Sequence, residues 1–307
     1  MKNVIPDFGA DKDQLFDWLK ENKSLVIRQK KLATKEADGI QVEMPKDEYV
    51  RPDTNKEIGV IAVMPNSVEL KTVINSTHVI DSHLDLHLPK GWNRTVKHQS
   101  KNGLHLKEHK MTFENTLADG INEVKVYVTT MSWKDLGYNF EGSPDLLMHK
   151  LILKNYETPK PHQITKAEMF YRYMDGEVKN HSVGMGYGEV MFCVNSEDKF
   201  WREEKANFDE FISLAVNPDV AKESGYFWAV REMKYFEGSA VPRGSNPITP
   251  TLSITEIKSH VDVNTDIVID PPLGTQQKSE QTDKSGQQAN APDYSEIAKA
   301  INNLKQN

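Results

Sequence analysis

The stretch "NHSVGMGYGEV", residues 180–190, carries glycine at every second position after a serine. Residues two apart lie on the same face of a β-strand, so Ser182 would share one face with Gly184, Gly186 and Gly188. Glycine weakens a strand interior and usually stands there because another backbone or a ligand comes close. The stretch therefore predicts a strand that has one face cleared of side chains, with a serine at its start.

Two interpretations of this cleared face are open. In the first, an extended peptide lies along it, bound at Gly184, Gly186 and Gly188, and meets Ser182. In the second, the glycines mark a bulge or close packing between strands, and Ser182 has no special role. The residue pattern taken alone favours the second interpretation.

The composition limits the class of protein. With 307 residues, 37% of them hydrophobic and 27% charged, the chain can form one sizeable globular domain with extensions, or two small domains. A net charge of −7 without a long basic block argues against nucleic-acid binding. No run of about 18 apolar residues occurs and the first residues turn acidic, so we expect neither a membrane span nor a signal peptide. The single cysteine, Cys193, excludes an internal disulfide and predicts a core residue in a reducing compartment.

The order of patterns along the chain predicts an α+β protein. A helical extension at residues 1–47 precedes a β-rich domain at residues 48–260. Residues 261–292 are polar and read as a flexible, disordered linker, and residues 293–307 as a short amphipathic helix, either a docking peptide or a frayed end. The predicted helices before this tail are residues 11–37, 143–156, 164–176 and 205–216, and the predicted strands are residues 57–64, 69–81, 121–131, 181–194 and 225–241.

A serine hydroxyl becomes a useful nucleophile when a base takes its proton and a third group orients that base. His105 and His109, in "NGLHLKEHK", are candidate bases, and spacing alone does not choose between them. His181 adjoins Ser182, but adjacent strand residues point to opposite faces, which argues against it. The nucleophile elbow of α/β-hydrolases has little support, because that motif needs glycine where Asn180 stands.

Three carboxylates are candidates for orienting the base: Glu189, Glu232 and Glu237. Glu232 and Glu237 are five residues apart and face opposite sides of a regular strand. At most one of them therefore serves the same site, unless a bulge intervenes.

The segment "DSHLDLHLP", residues 81–89, offers a different chemistry. On a strand, His83, Asp85 and His87 would share one face with Asp81 nearby, a donor set suited to zinc and to a metallohydrolase. An edge strand with one face in solvent produces the same alternation.

Four motifs follow one another in an informative order. They are "VINSTHVIDSHLDLHLPKGW" at residues 73–92, "LHLKEHK" with His109, "HSVGM" with Ser182, and "REMKYFEGSAVPRGSNPITP" at residues 231–250. Over roughly residues 55–255 this order resembles the prohead (capsid maturation) serine proteases of tailed bacteriophages. The sequence departs from their pattern where Lys90 separates a proline from a glycine, and where Gly238 stands in place of an aliphatic residue.

The resemblance implies a fold similar to that of herpesvirus assemblin, a β-barrel or a strongly curved antiparallel sheet wrapped by helices. It assigns Ser182 as the nucleophile, His109 as its base, and Glu237 or Glu232 as the acidic member, with Glu237 preferred. No metal or cofactor is implied. Backbone N–H groups of the glycine-rich strand or of the turn around Arg243 would form the oxyanion hole.

The resemblance further implies a serine endopeptidase that cleaves the scaffold protein, the major capsid protein precursor and itself. This would happen inside the assembling prohead, in the host cytoplasm, with further copies of the chain as partners and without nucleic acid or membrane. The C-terminal tail would be a packaging signal that self-cleavage removes. Two alternatives stay open: a non-catalytic capsid-assembly scaffold with the same fold, and a metallohydrolase that uses His83, Asp85 and His87.

Overall fold

Helices and strands alternate along the residues that the computed structural model describes, which are 5–35, 42, 44 and 64–257. The helices are α1 (Lys12–Leu32), α2 (Asn93–Gln99), α3 (Ile164–Met174), α4 (Arg202–Ile212) and α5 (Asp219–Ser224), and short 3-10 helices at Pro161–Gln163 and Lys199–Trp201 precede α3 and α4. The strands are β1 (Thr34–Lys35), β2 (Ser67–Ser76), β3 (Asp85–His87), β4 (Leu104–Lys107), β5 (Thr116–Asp119), β6 (Val124–Thr130), β7 (Asp145–Lys154), β8 (Asn180–Val194), β9 (Tyr226–Val241) and β10 (Thr251–Glu256).

The strands form two sheets. The larger has the order β1-β8-β9-β4-β5, with β3 also pairing to β9, and the smaller has the order β10-β2-β7-β6. The α+β class is confirmed, but the described residues form no closed barrel, so that part of the expectation is wrong. The larger sheet is also mixed, because β3 and β4 run parallel to successive segments of β9, residues 228–230 and 238–240.

One predicted helix is wrong. Residues 143–156 contain the strand β7, which pairs with β2 on one side and β6 on the other. A strand covered on both faces is a nearly continuous apolar run, so it lacks the alternation that reveals a half-buried strand. Its buried apolar side chains are Leu146, Leu147, Met148, Leu151 and Leu153.

The other predicted helices before the tail are confirmed as α1, α3 and α4. The carboxylate of Asp11 caps α1 by accepting a hydrogen bond from the Gln14 backbone N–H at 3.0 Å. Three predictions lie outside the described residues: the strand at residues 57–64 except for its last residue, the linker at 261–292 and the helix at 293–307. None of the described helices is long and apolar enough to cross a membrane.

The N-terminal helix packs on the same core as the glycine-rich strand. β1 then extends the larger sheet by pairing antiparallel with β8 through Thr34 opposite Gly186 and Lys35 opposite Met185. The predicted N-terminal extension therefore shares a core with the main domain. The α1 side chains buried in the apolar cluster that includes β8 are Leu15, Leu19 and Val26.

Of the four fully buried histidines among the described residues, His87 lies in β3, and the other three are in ring contact: His105 in β4, His149 in β7 and His181 in β8. Burial disfavours the charged imidazolium, and it lowers the pKa of His149 to about 3 and that of His181 to about 4. The pKa of His105 is lowered well below its ordinary value, chiefly by burial. All three rings are therefore neutral at neutral pH.

We expect the free energy of unfolding to fall as the pH drops below about 6.5, the pKa of histidine in an unfolded chain. Below that pH the histidines of the unfolded chain bind protons, whereas the buried histidines of the folded chain stay neutral. The stability that these histidines contribute at higher pH is therefore lost progressively as the pH falls from about 6.5 toward their folded-state pKa values. Each buried histidine adds a slope of up to about 1.4 kcal/mol per pH unit. Urea unfolding between about pH 7.5 and pH 5 measures this slope.

A matched pair of variants isolates the histidine contribution. His149→Gln removes one buried titrating ring and should make the pH dependence shallower than in His98→Gln, the matched control at an exposed position of α2. Equal slopes in the two variants would contradict a buried neutral ring at His149.

Candidate active site

The register between β8 and β9 brings the candidate residues onto one face. Ser182 lies opposite Ser239, and Gly184 lies opposite Glu237, in antiparallel pairs. Side chains of directly opposed residues point to the same side of a sheet. Ser182, Ser239 and Glu237 therefore share a face, with the space over Gly184 between them.

His109 reaches this face from the loop that follows β4. Its Nδ1 lies 2.5 Å from Glu237 Oε1, and its backbone N–H donates to Ser239 Oγ at 3.1 Å. The other ring nitrogen, Nε2, is buried and has no hydrogen-bond partner among the described residues. The imidazole is thus held at Nδ1 and at its own backbone, while Nε2 remains available to act on a further group.

Glu237 is held at both carboxylate oxygens. Oε1 contacts His109, and Oε2 accepts a hydrogen bond from Ser239 Oγ at 2.6 Å. Ser239 therefore joins the carboxylate to the backbone of His109. Ser239 was not among the predicted site residues, although it follows Glu237 by two positions and alternation alone places both on one face.

The backbone at His109 adopts an uncommon conformation. Glu108 and His109 both have φ of 55°, a left-handed region that costs a non-glycine residue on the order of 1 kcal/mol or more. Two hydrogen bonds to β9 hold it: Glu108 N to Ala240 O at 3.0 Å, and His109 N to Ser239 Oγ. The loop is thereby fixed in the orientation that turns the imidazole toward Glu237.

Ser182 is nearly buried, and no described residue forms a hydrogen bond with its hydroxyl. Its neighbour His181 points to the opposite face, as strand alternation predicts, and contacts the hydroxyl of Tyr173 and the carbonyl of Thr249 there. His181 is therefore not placed to act as the base for Ser182.

The three glycines are packed against side chains of this chain rather than left open. A Cβ at Gly184 would overlap the Glu237 carboxylate, and one at Gly186 would lie 3.0 Å from Phe236 Cζ. A Cβ at Gly188 would lie 3.0 Å from Glu232 Cγ. Gly184 and Gly186 are also buried. The glycines thus permit close packing of β9 side chains, and the binding of an extended peptide along them stays a prediction.

The other two candidate carboxylates pair elsewhere. Glu232 accepts a hydrogen bond from Arg94 at 2.8 Å, and Glu189 pairs with Arg231 at 3.1 Å. Of the two glutamates that the resemblance allowed, Glu237 is the one that contacts His109. The turn after β9 lies beside β8, since a Cβ at Gly244 would overlap the backbone carbonyl of His181.

The predicted metal ligands are not brought together as a set. Leu84 has φ of 56°, which interrupts the alternation expected for an extended strand, and His87 Nδ1 bonds Asn75 Oδ1 at 2.9 Å. Ligand atoms of Asp81, His83 and Asp85 do lie within 4.8 Å of one another.

Two buried lysines form ion pairs with the carboxylates of this cluster. Lys35 donates to both Asp81 and Asp85, and Lys30 forms an ion pair with Asp85. Burial alone would raise the pKa of Asp85, but Lys30 and then Lys35 hold it well below its ordinary value. Two ammonium groups balance two carboxylates, so the cluster joins α1 and β1 to the segment around β3 as an ion-pair network.

A methyl group at Gly184 tests the site geometry directly. In Gly184→Ala it would displace the Glu237 carboxylate, which is buried and bonded at both oxygens. We expect the NMR signal of the His109 Nδ1 proton to shift or disappear, with a loss of about 1–3 kcal/mol in unfolding free energy.

Gly186→Ala is the matched control, because its methyl meets the end of the half-exposed Phe236 ring, which can turn away. The same signal should persist in this variant. An unchanged His109 signal in Gly184→Ala would show that Glu237 does not hold the ring.

Comparison with known proteins gives no relatives: no family model, no curated protein and no solved structure matches the chain. The residues of the candidate site and the order of the sequence motifs are therefore the evidence on its function.

Proposed function

We propose that this protein is a serine endopeptidase with Ser182 as nucleophile, His109 as general base and Glu237 as the acidic member. One observation carries the proposal: His109 is bonded to Glu237 through Nδ1, while its buried Nε2 has no partner among the described residues, in the site that Ser182 shares. A Ser-His-carboxylate triad divides the roles of the two ring nitrogens in this way. It also joins Nε2 to the serine hydroxyl, a hydrogen bond that His109 and Ser182 do not form in this structure.

The reaction begins when Ser182 Oγ attacks the scissile carbonyl carbon and His109 Nε2 takes the hydroxyl proton. The imidazolium then gives that proton to the leaving amine, and the C–N bond breaks to leave an acyl-enzyme. Water then attacks the acyl carbon and passes a proton to His109 Nε2. The bond between the acyl carbon and Ser182 Oγ breaks as His109 returns that proton to Oγ, which releases the carboxylic acid and regenerates Ser182.

Glu237 contributes by fixing the tautomer of the base. Its Oε1 accepts the Nδ1 proton of His109, so the lone pair lies on Nε2, and the carboxylate stabilises the imidazolium when it forms. Ser239 keeps the carboxylate from turning, because it donates to Oε2. Backbone N–H groups beside Ser182 or in the adjacent turn at Gly244 would bind the oxyanion.

The resemblance refines this proposal to a prohead protease with an assemblin-like fold. The substrates would be the scaffold protein, the major capsid protein precursor and the enzyme itself, cut by copies of the chain inside a prohead in the host cytoplasm. Support comes from the motif order, together with the contact between His109 and Glu237, two of the residues to which the resemblance assigns catalytic roles. The competing class is a non-catalytic assembly scaffold with the same fold.

Mass spectrometry of the purified chain, incubated alone and with a capsid precursor, tests the proposal. Wild type should trim itself or the precursor, and Ser182→Ala and His109→Ala should leave both intact, because each removes a group that takes part in bond cleavage. Ser67→Ala, at the start of β2 and away from the site, should cleave like wild type.

The two functional classes give opposite results in this experiment. If all four proteins are folded and none produces a fragment, the endopeptidase proposal fails and a scaffold role takes its place. Fragments from wild type that persist in Ser182→Ala would assign the cleavage to a contaminating protease or to another residue.

Ser239→Ala separates positioning from chemistry. It removes the hydrogen bond to Glu237 Oε2 and the acceptor for the His109 backbone, and both losses loosen the base without touching the substrate. We expect kcat to fall about 10- to 100-fold with KM nearly unchanged. A wild-type kcat would mean that Ser239 is not needed to hold the base.

A further inference from the structure

A second polar cluster lies directly behind the candidate active site, on the opposite face of the same strands. His181 is the residue before Ser182 on β8. His149 packs against the backbone of β9, since a Cβ at Gly238 would lie 2.6 Å from His149 Cε1. His105 pairs with the same Gly238 from β4, the strand that leads to the His109 loop.

These three histidines and two tyrosines, Tyr173 and Tyr235, form one hydrogen-bonded series, here called the polar network. Both ends of the series are backbone carbonyls. The contacts run from Thr249 O to His181 Nδ1 at 3.0 Å, His181 Nε2 to Tyr173 OH at 3.0 Å, Tyr173 OH to His105 Nε2 at 2.9 Å, His105 Nδ1 to His149 Nδ1 at 3.0 Å, His149 Nε2 to Tyr235 OH at 3.0 Å, and Tyr235 OH to Leu104 O at 3.1 Å.

The number of protons constrains the network. It has six contacts, but three neutral imidazoles and two phenols supply five protons. One contact therefore lacks a proton. The missing proton is tolerated best at the contact between Tyr235 OH and Leu104 O, because the Tyr235 hydroxyl can turn and also accepts a hydrogen bond from the Leu104 backbone N–H at 3.0 Å. At the other end, the ring nitrogen of His181 that faces Thr249 O cannot turn away.

The direction of every remaining hydrogen bond then follows from the Thr249 end. A carbonyl can only accept, so His181 carries its proton on Nδ1 and accepts from Tyr173 at Nε2. His105 must then donate to Tyr173 through Nε2 and accept at Nδ1. His149 donates from Nδ1 to His105 and accepts from Tyr235. Each histidine thus has one defined tautomer.

The surroundings keep the network neutral. Burial is the largest influence on the pKa of each of the three histidines and lowers it, and their mutual repulsion lowers those of His105 and His149 further. The charged groups that act on the network among the described residues are Glu237 and Asp119, which with burial raise the pKa of Tyr235.

We propose that Tyr173, Tyr235, His105, His149 and His181 are positioning residues for the candidate active site. They join β4, β7, β8, β9 and α3 by side-chain hydrogen bonds at the level of Ser182, Glu237 and the His109 loop. None of them forms a hydrogen bond with the side chain of Ser182, His109 or Glu237, so they would act mainly through the backbone. Only the activity readout of this inference rests on the proposed endopeptidase function.

Tyr173→Phe tests the inference, because it keeps the ring and removes the hydroxyl that joins His105 to His181. The rate at which a fluorophosphonate probe labels Ser182 should fall about tenfold or more, since small displacements of catalytic groups have large effects on rate. The NMR signal of the His109 Nδ1 proton should shift as well. Tyr226→Phe, on β9 but outside the network, is the control and should change the labelling rate less than about twofold.

Histidine side-chain NMR of the wild type tests the hydrogen-bond directions without any variant. Protons on Nδ1 of His181, Nδ1 of His149 and Nε2 of His105 are expected. The reverse set of tautomers would overturn the network as assigned. If Tyr173→Phe does not fold, Tyr235→Phe replaces it at the other end of the network.

The outcomes separate this inference from the proposed function. If Tyr173→Phe matches Tyr226→Phe in both the labelling rate and the His109 signal, the positioning role is wrong. If the probe does not label wild-type Ser182, the endopeptidase proposal fails. The His109 signal, which does not depend on catalysis, then decides the positioning role by itself.

Discussion

The antiparallel pairing between β8 and β9 places the central groups of the candidate site. It sets Ser182 opposite Ser239 and Gly184 opposite Glu237, and both strands are unusually long. A slip of one residue would turn these side chains to the other face of the sheet. Neighbours on both outer edges fix the register: β1 on β8, and β3 and β4 on β9. The length of the β8–β9 pairing and the strands that flank it therefore fix the positions of three side chains, those of Ser182, Ser239 and Glu237.

Sequence patterns predicted the features that depend on short-range periodicity. Alternation placed Ser182 and the glycines on one strand face, and the order of motifs singled out His109 and Glu237, which do contact each other. Helix periodicity and a capping aspartate located α1. The failures have a common physical origin. β7 lacks alternation because both of its faces are buried, and the role of Gly184 depends on a partner more than fifty residues away in the chain.

Long-range charge pairing was also invisible in the sequence. Lys30 and Lys35 looked like surface residues of a charged helix, yet both are buried against Asp81 and Asp85. Removing such charges from water is expensive, and only the balance of two cations against two anions makes it tolerable. The same carboxylates had suggested a metal site. The cations that neutralise them come from a segment that local reasoning had assigned to a separate extension.

Gly184 and Gly238 explain how the two faces of the β8–β9 pair are related. The first admits the Glu237 carboxylate on one face, and the second admits His149 on the other. Gly238 directly follows Glu237 in β9. If a side chain at position 238 pushed β9 away from His149, the carboxylate that holds His109 would therefore move as well. Buried polar groups tolerate such shifts poorly, because each lost hydrogen bond leaves a desolvated partner. The polar network and the candidate catalytic residues thus share the backbones of β8 and β9, so we expect a displacement of either strand to affect both.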